Sequence, residues 1–175
     1  MLTLVTGGAA SGKSEYAEGL TLLSPGRRYY LATMRPCGPA DPEFAARVAR
    51  HRALRAGKGF QTIECPTELR NVALPGGSAV LLECLSNLAA NELFGGAGED
   101  AEREILAGID ALCHRARDVI VVSNEIFSDG VAYDSGTERY LALLGRLNRE
   151  IARRAGRVVE VVCGIPIYHK GGPYE

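Results

Sequence analysis

Leu2-Thr3-Leu4-Val5-Thr6, followed at once by Gly7-Gly8-Ala9-Ala10-Ser11-Gly12-Lys13-Ser14, is the stretch on which the fold turns. The first five residues form a short, β-branched, apolar run that suits a strand buried on both faces. The next eight satisfy G-x-x-x-x-G-K-[ST] in full. Glycines at that spacing let the backbone curl so that successive N–H groups face an anion, and the start of the following helix adds partial positive charge. Lys13 then reaches the β- and γ-phosphates of a nucleotide, and the Ser14 hydroxyl ligates Mg2+. Gly7, Gly8, Ala9, Ala10, Ser11, Gly12, Lys13 and Ser14 are therefore candidate nucleotide-binding residues, with Lys13 expected as an exposed loop lysine outside the core. The plainer alternative is a glycine-rich turn with a chance lysine. The complete motif, set between an apolar strand and an amphipathic segment, favours the nucleotide.

Outward from this loop, apolar runs alternate with helical patterns. Residues 29–33, 79–83, 119–123 and 158–163 read as further strands, with 61–64 a weaker one; residues 13–23, 42–56, 85–94, 100–117 and 137–155 read as helices. That alternation predicts βαβ units. The expected fold is α/β: a single P-loop NTPase-like domain over residues 1–175, with a mostly parallel central sheet and helices on both faces. Gly95-Gly96-Ala97-Gly98 separates two helices, and Gly156 falls where a helix C-cap is expected. Residues 34–41, with Pro36, Gly38 and Pro39, read as an irregular loop.

Composition narrows the function. The 175 residues carry 20 Lys plus Arg against 21 Asp plus Glu, a net charge of −1 that removes the electrostatic case for a nucleic-acid partner. Lys13, Lys58 and Lys170 are the only lysines, so the basic residues are nearly all arginine. The N-terminus lacks a basic region followed by an apolar one, and no run reaches the roughly 18–20 apolar residues of a membrane span. The five cysteines are widely spaced, without a Cys-x-x-Cys pair, and form neither a zinc pattern nor a disulfide framework. A cytoplasmic protein without a prosthetic group is expected.

A P-loop needs an acidic group near its cation. Val80-Leu81-Leu82-Glu83 and Val121-Val122-Ser123-Asn124-Glu125 each end an apolar strand on a carboxylate that could hold Mg2+ or accept a proton, or could simply emerge into solvent. Asp41-Pro42-Glu43 opens a helix well, and along it Arg47, His51 and Arg55 recur at i, i+4 and i+8 on one face, with Arg50 and Arg52 close by. Such a stripe fits phosphates held by arginine forks around a nucleophilic imidazole, or a solvated basic face with an incidental histidine. His114, near a helix C-terminus, and His169, in the terminal segment, read as surface residues.

Taken together these residues resemble the bifunctional adenosylcobinamide kinase / adenosylcobinamide-phosphate guanylyltransferases of cobalamin biosynthesis. The resemblance spans nearly the whole chain, through Leu4-Val5-Thr6-Gly7-Gly8, Ser11 to Ser14, Leu31-Ala32-Thr33, Asp41-x-Glu43…Arg47-x-x-x-His51-x-x-x-Arg55, Thr62-Ile63-Glu64, Leu81 to Leu85, Ser86-Asn87-Leu88, Val122 to Glu125, Leu147-Asn148 and Gly164-Ile165-Pro166. It implies phosphorylation of adenosylcobinamide by a nucleoside triphosphate, ATP or GTP with Mg2+. It further implies transfer of GMP from GTP through a guanylylated histidine, here His51, to give adenosylcobinamide-GDP and pyrophosphate. By the same resemblance Lys13 and Glu83 are catalytic, Ser14 and Glu83 hold the metal, and Arg47, His51, Arg55, Glu64 and Glu83 contact nucleotide. The family forms trimers with sites between subunits, which implies a homo-oligomer. Two stretches depart from it: residues 56–61 replace an Arg-Pro…Trp stretch in a chain with no tryptophan, and residues 128–136 differ as well.

Two rival functions are weaker. A GTP-binding switch needs [NT]-K-x-D and D-x-x-G, and neither occurs. A P-loop kinase of another small metabolite accounts for Lys13, Ser14 and Glu83 but leaves the Arg47–His51–Arg55 face without a purpose.

Overall fold

The computed structural model describes residues 1–35, 46, 49, 57–127 and 130–172. Among these, seven strands form one sheet: β1 (Leu2–Thr6), β2 (Arg28–Ala32), β3 (Phe60–Glu64), β4 (Ala79–Glu83), β5 (Asp118–Val122), β6 (Arg157–Val162) and β7 (Ile165–Lys170). The helices are α1 (Lys13–Leu23), α2 (Leu85–Gly95), α3 (Ala101–Arg115) and α4 (Ser135–Arg154). The helix expected over 42–56 lies outside the described residues, apart from Ala46 and Ala49, which are helical.

The strand order is β3-β2-β4-β5-β1-β6-β7, parallel throughout except for β7. Because side chains alternate across a strand, the central strands supply two cores. Leu2, Leu4, Val80, Leu82, Val119 and Val121 face one way, against Leu88 of α2, Ile109 of α3 and Leu147 of α4. Val5, Leu81, Ile120 and Val122 face the other way, against Ala17 of α1. The predicted α/β class and the mostly parallel sheet with helices on both faces are what the chain forms.

Strand and helix ends shift by one or two residues from the expected ranges, and three differences have a clear local reason. α4 begins at Ser135, before the predicted 137, because Asp134 caps it: Oδ1 accepts from the N–H groups of Gly136 (2.9 Å) and Thr137 (3.1 Å). The Thr137 hydroxyl also donates to Asp134, and these bonds hold that carboxyl below the usual range. Gly156 is not a left-handed cap, because α4 ends on an extended Ala155. Gly156 instead donates its N–H to Leu2 O (2.9 Å), where an added Cβ would lie 3.3 Å from Met1.

The third difference is β7, a strand where a terminal segment was expected. Its hairpin turns on Cys163 (φ 50°) and Gly164 (φ 79°), both left-handed as a two-residue primed turn requires. The usual Asn-Gly or Asp-Gly pair is absent, and Pro166 argues against a strand unless the strand is an edge, which β7 is.

Candidate active site

Parallel strands send all their C-terminal ends to one edge of the sheet, and there the chemistry gathers. β1 runs into the glycine loop, which enters α1 through Gly12 in the left-handed region (φ 89°). An added Cβ at Gly7 would stand 2.6 Å from Val161 O, and one at Gly12 would stand 3.3 Å from Gly164 Cα. The loop is thus pressed against β6 too closely for side chains at either glycine. Ser11 Oγ is buried and, among the described residues, has no hydrogen-bond partner.

Lys13 corrects the expectation of an exposed loop lysine: only 8% of it is accessible. Its ammonium folds back over the loop to donate to Gly8 O (2.9 Å). Burial pushes its pKa down, and the neighbouring acidic groups of Cys84 and Glu83 push back. A partly desolvated ammonium lying along the loop can serve an incoming anion.

β4 delivers Glu83 beside the loop, as its strand-end position predicted. The Ser14 hydroxyl donates to Glu83 Oε1, while Glu83 Oε2 is buried without a partner among the described residues. A hydroxyl beside a carboxylate with an unused buried oxygen is a donor set that fits Mg2+. No three His, Cys, Asp or Glu side chains converge as a metal cage among the described residues. One carboxylate and one hydroxyl suit a cation that arrives with its phosphates.

Glu83 is held from behind by residues that motif reading did not single out for a role. Thr33, fully buried after β2, accepts from Cys84 N (2.6 Å) and donates to Cys84 O (2.8 Å). Asn91 of α2 donates to Thr33 O (2.8 Å) and Pro66 O (2.9 Å), tying the ends of β2 and β3 to α2. The Glu83–Cys84 peptide is cis. Burial pushes the Cys84 thiol up, and its sulfur lies 3.0 Å from Ser86 Oγ, which accepts from Asn124 (2.6 Å). The signal available in sequence was a polar residue closing an apolar strand, as in Leu31-Ala32-Thr33 and Val122-Ser123-Asn124.

The other predicted residues separate clearly. Glu64 ends β3 on the same edge as Glu83, and Ala32 of β2 is in register with both, so the two acidic strand ends stand two strand spacings, about 10 Å, apart. Glu125 braces the loop: its N–H donates to Gly7 O (3.0 Å) and its carboxylate accepts from Phe127 N (3.1 Å). His114 sits 2.6 Å from Asp110 O at the end of α3, and His169 lies 2.9 Å from Glu160 across the β6–β7 hairpin, both exposed. Arg47, His51 and Arg55 lie outside the described residues.

The solved structure of the flagellar accessory protein FlaH from Methanocaldococcus jannaschii superposes with a TM-score of 0.52 at 12% identity, over 98% of this chain and 78% of that one, a likeness of fold alone. The bifunctional adenosylcobalamin biosynthesis protein CobU of Salmonella typhimurium is 33% identical over 183 residues, covering 95% of this chain and 98% of the relative. The bifunctional adenosylcobalamin biosynthesis protein CobP of Pseudomonas aeruginosa is 35% identical over 179 residues, covering 99% of each. Residues 3–168 match the model of the cobinamide kinase / cobinamide phosphate guanyltransferase family. With the phosphate loop, Glu83 and the strand ends around them inside that match, the chain belongs to the cobinamide kinase / cobinamide phosphate guanyltransferase family.

Proposed function

We propose that the loop at residues 7–14 with Glu83 is the kinase centre, and that His51 carries the guanylyl group. Both reactions are assigned to one domain over residues 1–175. The observation that carries the first assignment is the Ser14–Glu83 contact, with Glu83 Oε2 buried and, among the described residues, unpartnered beside Lys13. In this reading loop N–H groups and the Lys13 ammonium hold the β- and γ-phosphates of a nucleoside triphosphate, and Ser14 and Glu83 hold Mg2+. Bound Mg2+ supplies charge neutralisation at the phosphate oxygens. The hydroxyl oxygen of the cobinamide aminopropanol arm attacks the γ-phosphorus, its proton passes to water, the bond to the bridging β–γ oxygen breaks, and the nucleoside diphosphate leaves.

The second reaction rests on the spacing of Arg47, His51 and Arg55 and on family membership. A ring nitrogen of His51 attacks the α-phosphorus of GTP, and pyrophosphate leaves against the arginines. A phosphate oxygen of cobinamide phosphate then attacks the phosphorus of the guanylylated histidine. That step frees the imidazole and gives the cobinamide-GDP product. Glu64, on the same edge as Glu83, is assigned to nucleotide contact. The family resemblance further supports a homo-oligomer, a trimer, acting on an adenosylated corrinoid in the cytoplasm. Among the described residues, no helix is long and apolar enough to cross a membrane.

The test is covalent labelling with α-labelled GTP. Wild-type protein should retain an acid-labile, alkali-stable label, as phosphoramidates are, and His51→Ala should retain none. Equal labelling of the two removes His51 from the mechanism.

A further inference from the structure

The phosphate loop has two flanks of opposite character. On the β4–β5 side stand three polar residues: Glu83, with its buried Oε2, and Ser86, which accepts from Asn124. On the β6 side stands the turn of the β6–β7 hairpin. Gly164 donates its N–H to Ser11 O (2.8 Å), and the bare face of Gly12 lies against Gly164 Cα. The tip of this hairpin is apolar and open: Val162 and Ile165 are directly paired across it and are 43% and 64% exposed, with exposed Cys163 and Gly164 between them. No charged residue interrupts Val162 to Ile165.

A triphosphate in the loop has a direction. Its γ end must meet Lys13, Ser14 and Glu83, because transfer happens there, and these groups mark the β4 flank. The strand order places β6 and β7 on the other side of β1. The α-phosphate and its nucleoside therefore leave across Gly12 toward the hairpin. We infer that the apolar tip formed by Val162, Cys163, Gly164 and Ile165 is the platform on which the ribose and base of the donor nucleotide rest. The inference builds on the kinase centre assigned above. It also sets a selectivity: aliphatic side chains grip the flat face of a purine and read no base edge, so adenine and guanine nucleotides are held alike.

The experiment compares three ligands with Mg2+ on the full-length protein by calorimetry. Two are the α,β-methylene analogues of ATP and GTP, which block α-transfer. The third is inorganic tripolyphosphate, which has phosphates and no nucleoside. Ile165→Ser and Val162→Ser should each weaken both nucleotide analogues by about 5- to 20-fold and leave tripolyphosphate within about two-fold of wild type. Lys13→Ala should weaken all three. Unchanged analogue binding in both tip variants, with Lys13→Ala impaired, overturns the platform and leaves the cradle standing. Equal losses for analogues and tripolyphosphate overturn it too, since the tip would then only brace the loop. A change in sedimentation of the tip variants that accounts for the loss assigns the tip to a second copy of the chain and refutes the proposal. Normal binding of all three ligands by Lys13→Ala refutes the cradle, and the platform with it.

Discussion

Replacing Thr33 by valine removes one oxygen and almost no volume, which isolates what its hydroxyl does for the carboxylate of Glu83. Thr33 is fully buried, and its Oγ1 accepts from Cys84 N at 2.6 Å while donating to Cys84 O at 2.8 Å. In Thr33→Val the Cys84 carbonyl keeps its bond from Leu88 N at 3.2 Å, but the Cys84 N–H loses the partner the hydroxyl gave it. An orphaned buried donor costs about 1–3 kcal/mol, and the second lost bond about 0.5–1.5 more. The expected destabilisation is about 2–4 kcal/mol, or about 5–15 °C in Tm for a chain of this size. Thr33→Ser keeps the hydroxyl, loses one buried methyl and should cost about 1 kcal/mol. Urea unfolding followed by circular dichroism measures both variants, with m unchanged. Kinase rates at saturating nucleotide should fall about ten- to a hundred-fold in the valine variant, since the peptide that carries Glu83 loses its clamp. They should stay near wild type in the serine variant. A valine variant within about 0.5 kcal/mol of wild type, or a serine variant as damaged as the valine one, refutes the clamp.

Two further outcomes probe the site directly. Glu83→Gln retains an oxygen for Ser14 but loses the charge that fits a cation. At 100 Kd of Mg2+-nucleotide the wild type should gain about 2.7 kcal/mol in a thermal melt and the variant less than half of that at the same concentrations, whereas equal gains would take Glu83 out of the metal site. Lys13, whose pKa burial depresses, should have that pKa raised again when phosphate binds, because the anion favours the charged ammonium. Affinity for Mg2+-tripolyphosphate is then full below the free-state pKa and is lost as pH rises through the bound-state pKa. Calorimetry at alkaline pH in buffers of different ionisation heat should show proton uptake by wild type and none by Lys13→Arg; proton release by wild type would contradict the assignment.

The loop, the sheet and Glu83 were legible because each is written locally. A complete phosphate-loop motif, β-branched runs, and an acid closing an apolar strand are all contiguous patterns. What escaped depends on contacts between distant segments. Thr33 reads as the end of a strand until the fold sets it against Cys84, 51 residues away. Lys13 reads as exposed until its ammonium turns back to Gly8 and the strand ends close over its stem. β7 was hidden because its turn uses Cys163 where asparagine or aspartate usually signals a hairpin, and because Pro166 reads as a strand breaker when edge position cannot be seen. Arg47, His51 and Arg55 are the reverse case: in the sequence they stand on spacing alone, and beyond it on the family to which residues 3–168 conform.

Within the chain, the site satisfies most of its own polar groups: Lys13 rests on Gly8 O, Ser14 on Glu83, and the Cys84 peptide on Thr33. Two oxygens among the described residues are left over beside the loop, Ser11 Oγ and Glu83 Oε2. A buried polar atom without a partner costs about 1–3 kcal/mol, and more when charged, so stability alone favours pairing or replacing both. They are also complementary in kind. The serine hydroxyl has a proton to give and matches a phosphate oxygen; the carboxylate can only accept and matches a cation. Free polyphosphate meets the first and repels the second, while a free cation meets the second and leaves the first unmet. On the proposed assignment only the two together complete the site, so metal and nucleotide are expected to bind as one unit.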